Sequence, residues 1–333
     1  MKIDPAFGRI PDSRIGRGEL ERWGSKPAAP VPGVQWFDQF PYKTAQLSNG
    51  LETDREWYAL HFASVLVRGF CDLAVVRDAL ASEDLVPVGA CRDGKSTPEA
   101  MWTLWFNVIK DSVCGTYHEI VLSFDVASSG EPVAFRTKGA GVWELQYANF
   151  GPSVCEGQFL HSLWINSPLS IMWGREMQGF PKHPKPVASR IVDTPKEFAF
   201  DLSWDGSNVM RGRIAKRFSF LAQAVGLTLV HGPLPVTRFV LAPSFDVPIV
   251  MPKKTAAQNG VGRRYMGHLW KGLDPFSVRV WPWHPADTLE LGSVEIPTGC
   301  EDHNGQALLA RARFQPVSVT YLPRSAAIVE TRA

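Results

Sequence analysis

The sequence predicts an α+β fold built mainly on antiparallel sheet, closed or nearly closed on itself and carrying few helices. Three observations lead there. Most of the chain reads as runs dense in β-branched and aromatic residues. Only two stretches carry a helical period, and no internal repeat or low-complexity tract is present. A hydrophobic fraction of 45%, with 12 tryptophans and 19 phenylalanines, supplies a large aromatic core that 20% charged residues can cover.

Residues 1–54 include PAAPVPGVQWFDQFPY, rich in proline and punctuated by isolated aromatics, and read as an extended arm that must lie on something. Residues 55–333 are expected to form a single domain, because no linker divides them. WYALHFASVLVR, from Trp57 to Arg68, suits a buried strand, and CDLAVVRDALASE then sets Leu73, Val76 and Leu80 on one helical face. WTLWFNVI, EIVLSFDV, VAFRTKGAGVWELQY and KEFAFDLSW continue as strands, with Asp205-Gly206 as a turn. VTRFVLAPSF, SVRVWPW and ALLARARFQPVSVTYLP follow, the last with a proline that demotes part of it to an edge or bulge. RFSFLAQAV is the second helical stretch.

Several function classes are disfavoured. The net charge of +2 is scattered without a basic stripe, which argues against nucleic acid and anionic membrane surfaces as partners. No run approaches the roughly 18 apolar residues of a spanning helix, and the first residues lack a signal-peptide core, so the expected compartment is the cytoplasm. Five dispersed cysteines form no C-x-x-C, and eight histidines show no metal-like pairing; His118-Glu119 lacks the second histidine of H-E-x-x-H. GVGRRYMG, from Gly260, is not a dinucleotide fingerprint and reads as a loop. No G-x-S-x-G elbow is present. No metal or organic cofactor is called for.

What remains is GREMQGFPKHPKP, from Gly174 to Pro186, which puts Lys182 behind Gly-Phe-Pro and shortly after the apolar LSIMW. Such a lysine is either a solvated surface charge or a buried amine. An ordinary lysine leaves roughly one molecule in a few thousand neutral at pH 7. Apolar surroundings such as Phe180 and Trp173 would lower its pKa by desolvation, and a neutral amine attacks ketones to form an iminium electron sink.

FLHSLWINSPLSIMWGREMQGFPK, from Phe159 to Lys182, resembles the signature segment of the acetoacetate decarboxylase family, and GTYHE, from Gly115 to Glu119, resembles its upstream Gly-x-Tyr-x-Glu. A weaker similarity runs from about Val65 to Leu322. The resemblance implies a closed or cone-like β-barrel core and a second apolar strand at LSIMW. It implies Lys182 as the Schiff-base lysine and Glu119 as the active-site carboxylate that orients substrate or moves its protons. Arg175 and Glu176 match the Gly-Arg-Glu pair, as substrate contacts or as a structural ion pair. Tyr117 is a substrate hydrogen-bond partner or a core aromatic, and Phe180 belongs to the pocket wall. A homo-oligomer acting on a small ketoacid is also implied.

Three departures from the pattern matter. His183 stands where the decarboxylases have a second lysine, which weakens the neighbouring cation. Leu104 stands where another acid is expected, and an arginine expected on the first core strand has Arg55 as its nearest candidate. Gln178, four residues before Lys182, resembles the variant branch that condenses pyruvate-like ketoacids with aldehydes and then dehydrates the product. The reading is therefore a lysine Schiff-base carbon-carbon lyase, decarboxylating a β-ketoacid, with the aldolase-dehydratase and a non-catalytic barrel binder as alternatives. The segment 127–158, with Trp143 and Tyr147, is longer than the family pattern, as a reshaped pocket mouth or as a surface embellishment.

Overall fold

The computed structural model describes residues 45–48, 50, 52–53, 57–91, 97–127, 134–136, 157–183, 186–219, 244–258, 260–270, 278–292, 308 and 311–331. The long strands are β1 (Trp57–Asp72), β2 (Glu99–Ser112), β3 (Tyr117–Ala127), β4 (Gly157–Ile165), β5 (Ala188–Asp193), β6 (Glu197–Trp204), β7 (Ser207–Ala215), β8 (Ser244–Val250), β9 (Arg264–Trp270), β10 (Arg279–Pro282), β11 (Thr288–Leu291) and β12 (Gln315–Thr331). The α-helices among the described residues are α1 (Leu73–Ala79), α2 (Pro168–Gln178) and α3 (Lys253–Gln258).

Seven strands close into a barrel in the order β3, β4, β8, β9, β12, β1, β2 and back to β3. Every neighbouring pair is antiparallel except β4 with β8. Closure removes the exposed edges that an open sheet of this length would present. At the parallel pairing, Gly157 has φ 142°, and a Cβ there would lie 2.3 Å from the Pro248 carbonyl oxygen, so the two backbones meet where only glycine fits. Pro316 falls where the β12 to β1 register shifts, the bulge its missing N–H demands.

Strand alternation sorts the hydrophobic residues into two cores. On β2 and β3, Leu104, Phe106, Ile120 and Leu122 point outward and pack against a second antiparallel sheet of β5, β6, β7 and β11. Phe106 meets Phe198 and Phe200 there, at 5.8 and 4.1 Å between ring centroids. Their neighbours Trp105, Asn107, Ile109, Glu119 and Val121 point inward and line a cavity. The barrel thus presents one wall to an ordinary core and the other to a potential ligand.

The closed, mainly antiparallel barrel with few helices agrees with the sequence expectation, as do β1, β2, β3, β6 and the helix from Leu73. Asp72 caps that helix by accepting from the Ala74 N–H at 2.9 Å. The strand expected at LSIMW is instead part of helix α2. Ser167 is its N-cap, accepting from the Ser170 N–H at 3.2 Å; Pro168 pre-sets the first turn, and Gly179 ends it with φ 62°. GVGRRYMG is a loop only to Arg263, because Arg264 begins β9. Of RFSFLAQAV, residues 217–219 have no regular structure, and the rest lies outside the described residues, as do most of VAFRTKGAGVWELQY and VTRFVLAPSF, Arg55, Trp143, Tyr147 and most of the arm and of segment 127–158.

Two pieces of the arm's end are described. Ala45–Gln46 pairs antiparallel with Glu52–Thr53, and Leu47 between them is buried. No described helix is long and apolar enough to cross a membrane, and among the described residues no group of three or more His, Cys, Asp or Glu gathers as a metal site would.

Candidate active site

The chain after α2 turns back along β4. Lys182 forms a parallel bridge with Leu163, supported by bonds from the Leu163 N–H to the Pro181 carbonyl and from the His183 N–H to the Leu163 carbonyl. Leu163 lines the cavity, so Lys182 faces inward with it. His183 faces the other way, stacked on Trp164 at 5.8 Å and near Trp204 at 6.3 Å, in the core between barrel and outer sheet. The two adjacent side chains therefore enter opposite cores, and His183 is not the lysine's neighbouring cation in the pocket.

The lysine side chain is fully buried. Its stem crosses α2 at Gly174, where an added Cβ would lie 2.3 Å from Cε and 2.5 Å from Nζ. Nζ donates to the Ser170 carbonyl oxygen at 2.9 Å and to the Ser170 hydroxyl at 3.0 Å. It lies 3.8 Å from Glu119 Oε2 and 5.3 Å from the Phe180 ring centroid. Burial holds its pKa below the ordinary lysine value, and the Glu119 carboxylate partly opposes that shift. Lys182 does not itself line the cavity, whereas Glu119 and Phe180, its neighbours at 3.8 and 5.3 Å, do.

Glu119 is held by a polar chain that crosses three strands in register. Ser64, Asn107 and Glu119 are successive cross-strand partners on β1, β2 and β3. Ser64 Oγ donates to Asn107 Oδ1 at 2.7 Å, and Asn107 Nδ2 donates to Glu119 Oε1 at 3.2 Å. Both ends of the Asn107 amide are thereby used, which fixes the carboxylate with Oε2 turned to the lysine. Sequence reasoning missed Asn107 and Ser64. Leu104, the position it compared with a second acid, is buried on the outward face opposite Leu122. The residue opposite Glu119 is a neutral amide.

Tyr117 is buried, and its hydroxyl accepts from Trp57 Nε1 at 3.1 Å. Burial first, then Glu119, holds the phenol well above its ordinary pKa, so it stays protonated. The nearby Cys114 thiol is pushed by burial up to about 12 and is inert packing at neutral pH. Arg175 donates from Nη1 to the Lys182 carbonyl at 2.7 Å, bracing the backbone that carries the amine. Glu176 accepts from the Ser48 N–H at 2.8 Å and from its hydroxyl at 2.6 Å, fastening the arm's end to α2. Both members of the Gly-Arg-Glu pair thus act on the scaffold.

No protein-family model matches the chain, and no curated protein matches it. Solved acetoacetate decarboxylase structures do match. The acetoacetate decarboxylase from Legionella pneumophila subsp. pneumophila str. Philadelphia 1 is 14% identical, with 96% of this chain and 95% of that chain covered at a TM-score of 0.49. An acetoacetate decarboxylase-like enzyme from Sphingomonas wittichii RW1 is 14% identical over 86% of this chain and 97% of that chain, with a TM-score of 0.43. The enduracididine biosynthesis enzyme MppR, solved with pyruvate, is 13% identical over 82% and 87%, with a TM-score of 0.38.

Two further groups complete the site's surroundings. Gln178 lies four residues beyond Gly174 on α2, on the helix face that carries Ser170 and Gly174. It is fully buried, and among the described residues neither its amide oxygen nor its amide nitrogen has a hydrogen-bond partner. An arginine does stand on the first barrel strand: Arg68, four residues or about 13 Å along β1 from Ser64. It pairs with Asp125 at 2.9 Å and donates to Thr103 Oγ1 at 3.1 Å, so its charge is already matched at the other end of the barrel.

Proposed function

We propose that this protein is a Schiff-base carbon-carbon lyase in which Lys182 condenses with the ketone of a β-ketoacid and releases carbon dioxide. The observation that carries the reading is a fully buried amine in an apolar wall, 3.8 Å from one carboxylate that lines a cavity. The neutral amine attacks the ketone carbon, and water leaves from the carbinolamine with protons passed by Glu119. The iminium accepts the electron pair of the breaking carbon-carboxylate bond, giving carbon dioxide and an enamine. Protonation of the enamine carbon and hydrolysis by water release the ketone and restore the amine.

A second reading rests on Gln178. Its bare amide offers one acceptor and two donors inside the protein, which suits a second carbonyl group beside the lysine. In that case the enamine of a pyruvate-like donor attacks an aldehyde, and loss of water follows.

The test is borohydride reduction in the presence of acetoacetate or of pyruvate, with intact mass and peptide mapping. An adduct on Lys182 is expected, and carbon dioxide release without an aldehyde then selects decarboxylation. A folded protein that yields no adduct with any ketone refutes both readings in favour of a non-catalytic binder.

The rate of adduct formation carries a pH signature. Because burial lowers the lysine pKa, the rate rises with pH along a limb below the ordinary lysine value. Glu119 raises that pKa, so Glu119→Gln moves the limb to lower pH while slowing the proton-transfer steps. Asn107→Asp adds a second carboxylate beside the first and moves the limb to higher pH. Initial trapping rates across a buffer series measure both shifts, and limbs that move the other way would remove Glu119 from contact with the reacting amine.

A further inference from the structure

The cavity that Glu119 faces continues into the barrel, and its chemistry changes along the way. It has a volume of about 100 Å3, and the polar side chains that line it are Asn107, Glu119 and Gln158, besides the indoles of Trp57 and Trp105. Asn107 and Glu119 stand at the lysine end. Gln158 is tied through Oε1 to the Ser123 hydroxyl at 3.2 Å. Between them the wall is hydrocarbon, with Val121, Leu160, Ile249, Leu269 and Val329 among its residues. Among the described residues no Lys or Arg lines it.

Two small residues border the open space. Gly267 on β9 and Ala327 on β12 both line the cavity and sit in alternate rungs of one ladder, Gly267 opposite Val329 and Leu269 opposite Ala327, with His268 opposite Ile328 between them. Inward strand positions ordinarily carry bulky residues that fill a barrel of this size. A Cβ at Gly267 would lie 3.1 Å from Cδ1 of Ile249, itself a lining residue, so a larger side chain there competes with Ile249 for the space at the cavity wall.

We propose that Gly267 and Ala327 set the substrate class by keeping open an apolar lane, and that the ketone bound at Lys182 carries a hydrocarbon substituent of several carbons that lies in it. The inference rests on the Schiff-base reading for the chemistry at Lys182, but the lane itself is a statement about binding. A substrate as short as acetoacetate occupies the polar end and leaves the hydrocarbon wall uncovered. Each methylene moved from water onto that wall strengthens binding about fourfold.

The experiment is calorimetric titration of a methyl-ketone series, from acetone through 2-hexanone to 2-octanone, into the wild type, Lys182→Met, Gly267→Leu and Ala327→Leu, together with borohydride trapping of acetone. Affinity is expected to rise about fourfold per methylene in the wild type and in Lys182→Met until the cavity is full. Each leucine is expected to flatten the series while the acetone adduct on Lys182 persists. A wild-type series that is flat, or one that both leucine variants leave unchanged, overturns the lane while adduct formation leaves the Schiff-base reading standing. A rising series with no adduct keeps the lane as a ligand cavity and removes the Schiff-base reading. Where a leucine variant fails to fold, Gly267→Ala or Ala327→Val takes its place in the series, and a flat wild-type series overturns the lane regardless.

Discussion

Lys182→Met is expected to abolish both the borohydride-trapped adduct and turnover while leaving a folded barrel. Methionine keeps the unbranched stem that crosses Gly174 but has no amine, so nothing can attack the ketone. The stability change is a balance of three terms. The Ser170 carbonyl loses its donor, which costs about 1 to 3 kcal/mol. Removing a buried amine relieves its desolvation. Glu119 is left buried without its cation, and that is the destabilising term expected to dominate. Adding Glu119→Gln to Lys182→Met should therefore recover stability without recovering any activity. Urea melts of the wild type, the single variant and the double variant measure this, beside intact-mass trapping. A lysine that served only as packing would give the opposite record, with activity tracking stability through the series.

How much of this was legible in the sequence depends on how local the cause is. β1, β2, β3 and β6 are dense in β-branched and aromatic residues, so their identity follows from composition and pattern alone. Helix α2 is also locally marked, by Ser167, Pro168 and Gly179, yet the family resemblance implies a strand for the apolar run from Leu169 to Trp173, and these flanking start and stop signals outweigh it. The parallel β4 to β8 pairing and the antiparallel pairing of β12 with β1 are contacts between distant segments, which no local pattern encodes. Lys182 and Glu119 stood out because each lies in a distinctive motif. Asn107 and Ser64 did not, since each is a single polar residue in an apolar strand. Parity was the signal available: Asn107 shares the inward face with Trp105 and Ile109, whereas Leu104 lies on the outward face with Phe106. His183 shows the same rule across one peptide bond, because a neighbour in extended backbone points away from the site that its sequence position suggests.

Gly174→Ala is the substitution that should separate the amine's position from the protein's stability. Gly174 lies inside α2, where alanine is favoured over glycine by about 1 kcal/mol. The new methyl would nevertheless overlap Cε of Lys182 at 2.3 Å and Nζ at 2.5 Å. The atoms it meets are the end of a flexible side chain rather than backbone, so the lysine moves and the helix stays. Displaced, Nζ loses Ser170 and its approach to Glu119, and a misplacement on the order of 1 Å costs about 100-fold in rate. The expected result is an adduct rate lowered by at least about 100-fold in a protein whose circular dichroism is unchanged. The double variant Gly174→Ala with Lys182→Met then reports the contact itself. Both stems cross the helix at the same place, but methionine ends one atom earlier and carries no polar head to rehouse. The alanine should therefore be more stabilising in the Lys182→Met background than in the wild type, by about 1 to 3 kcal/mol of coupling. Additive melting data, together with a Gly174→Ala enzyme that traps ketone at the wild-type rate, would mean that the reacting lysine does not pass over Gly174.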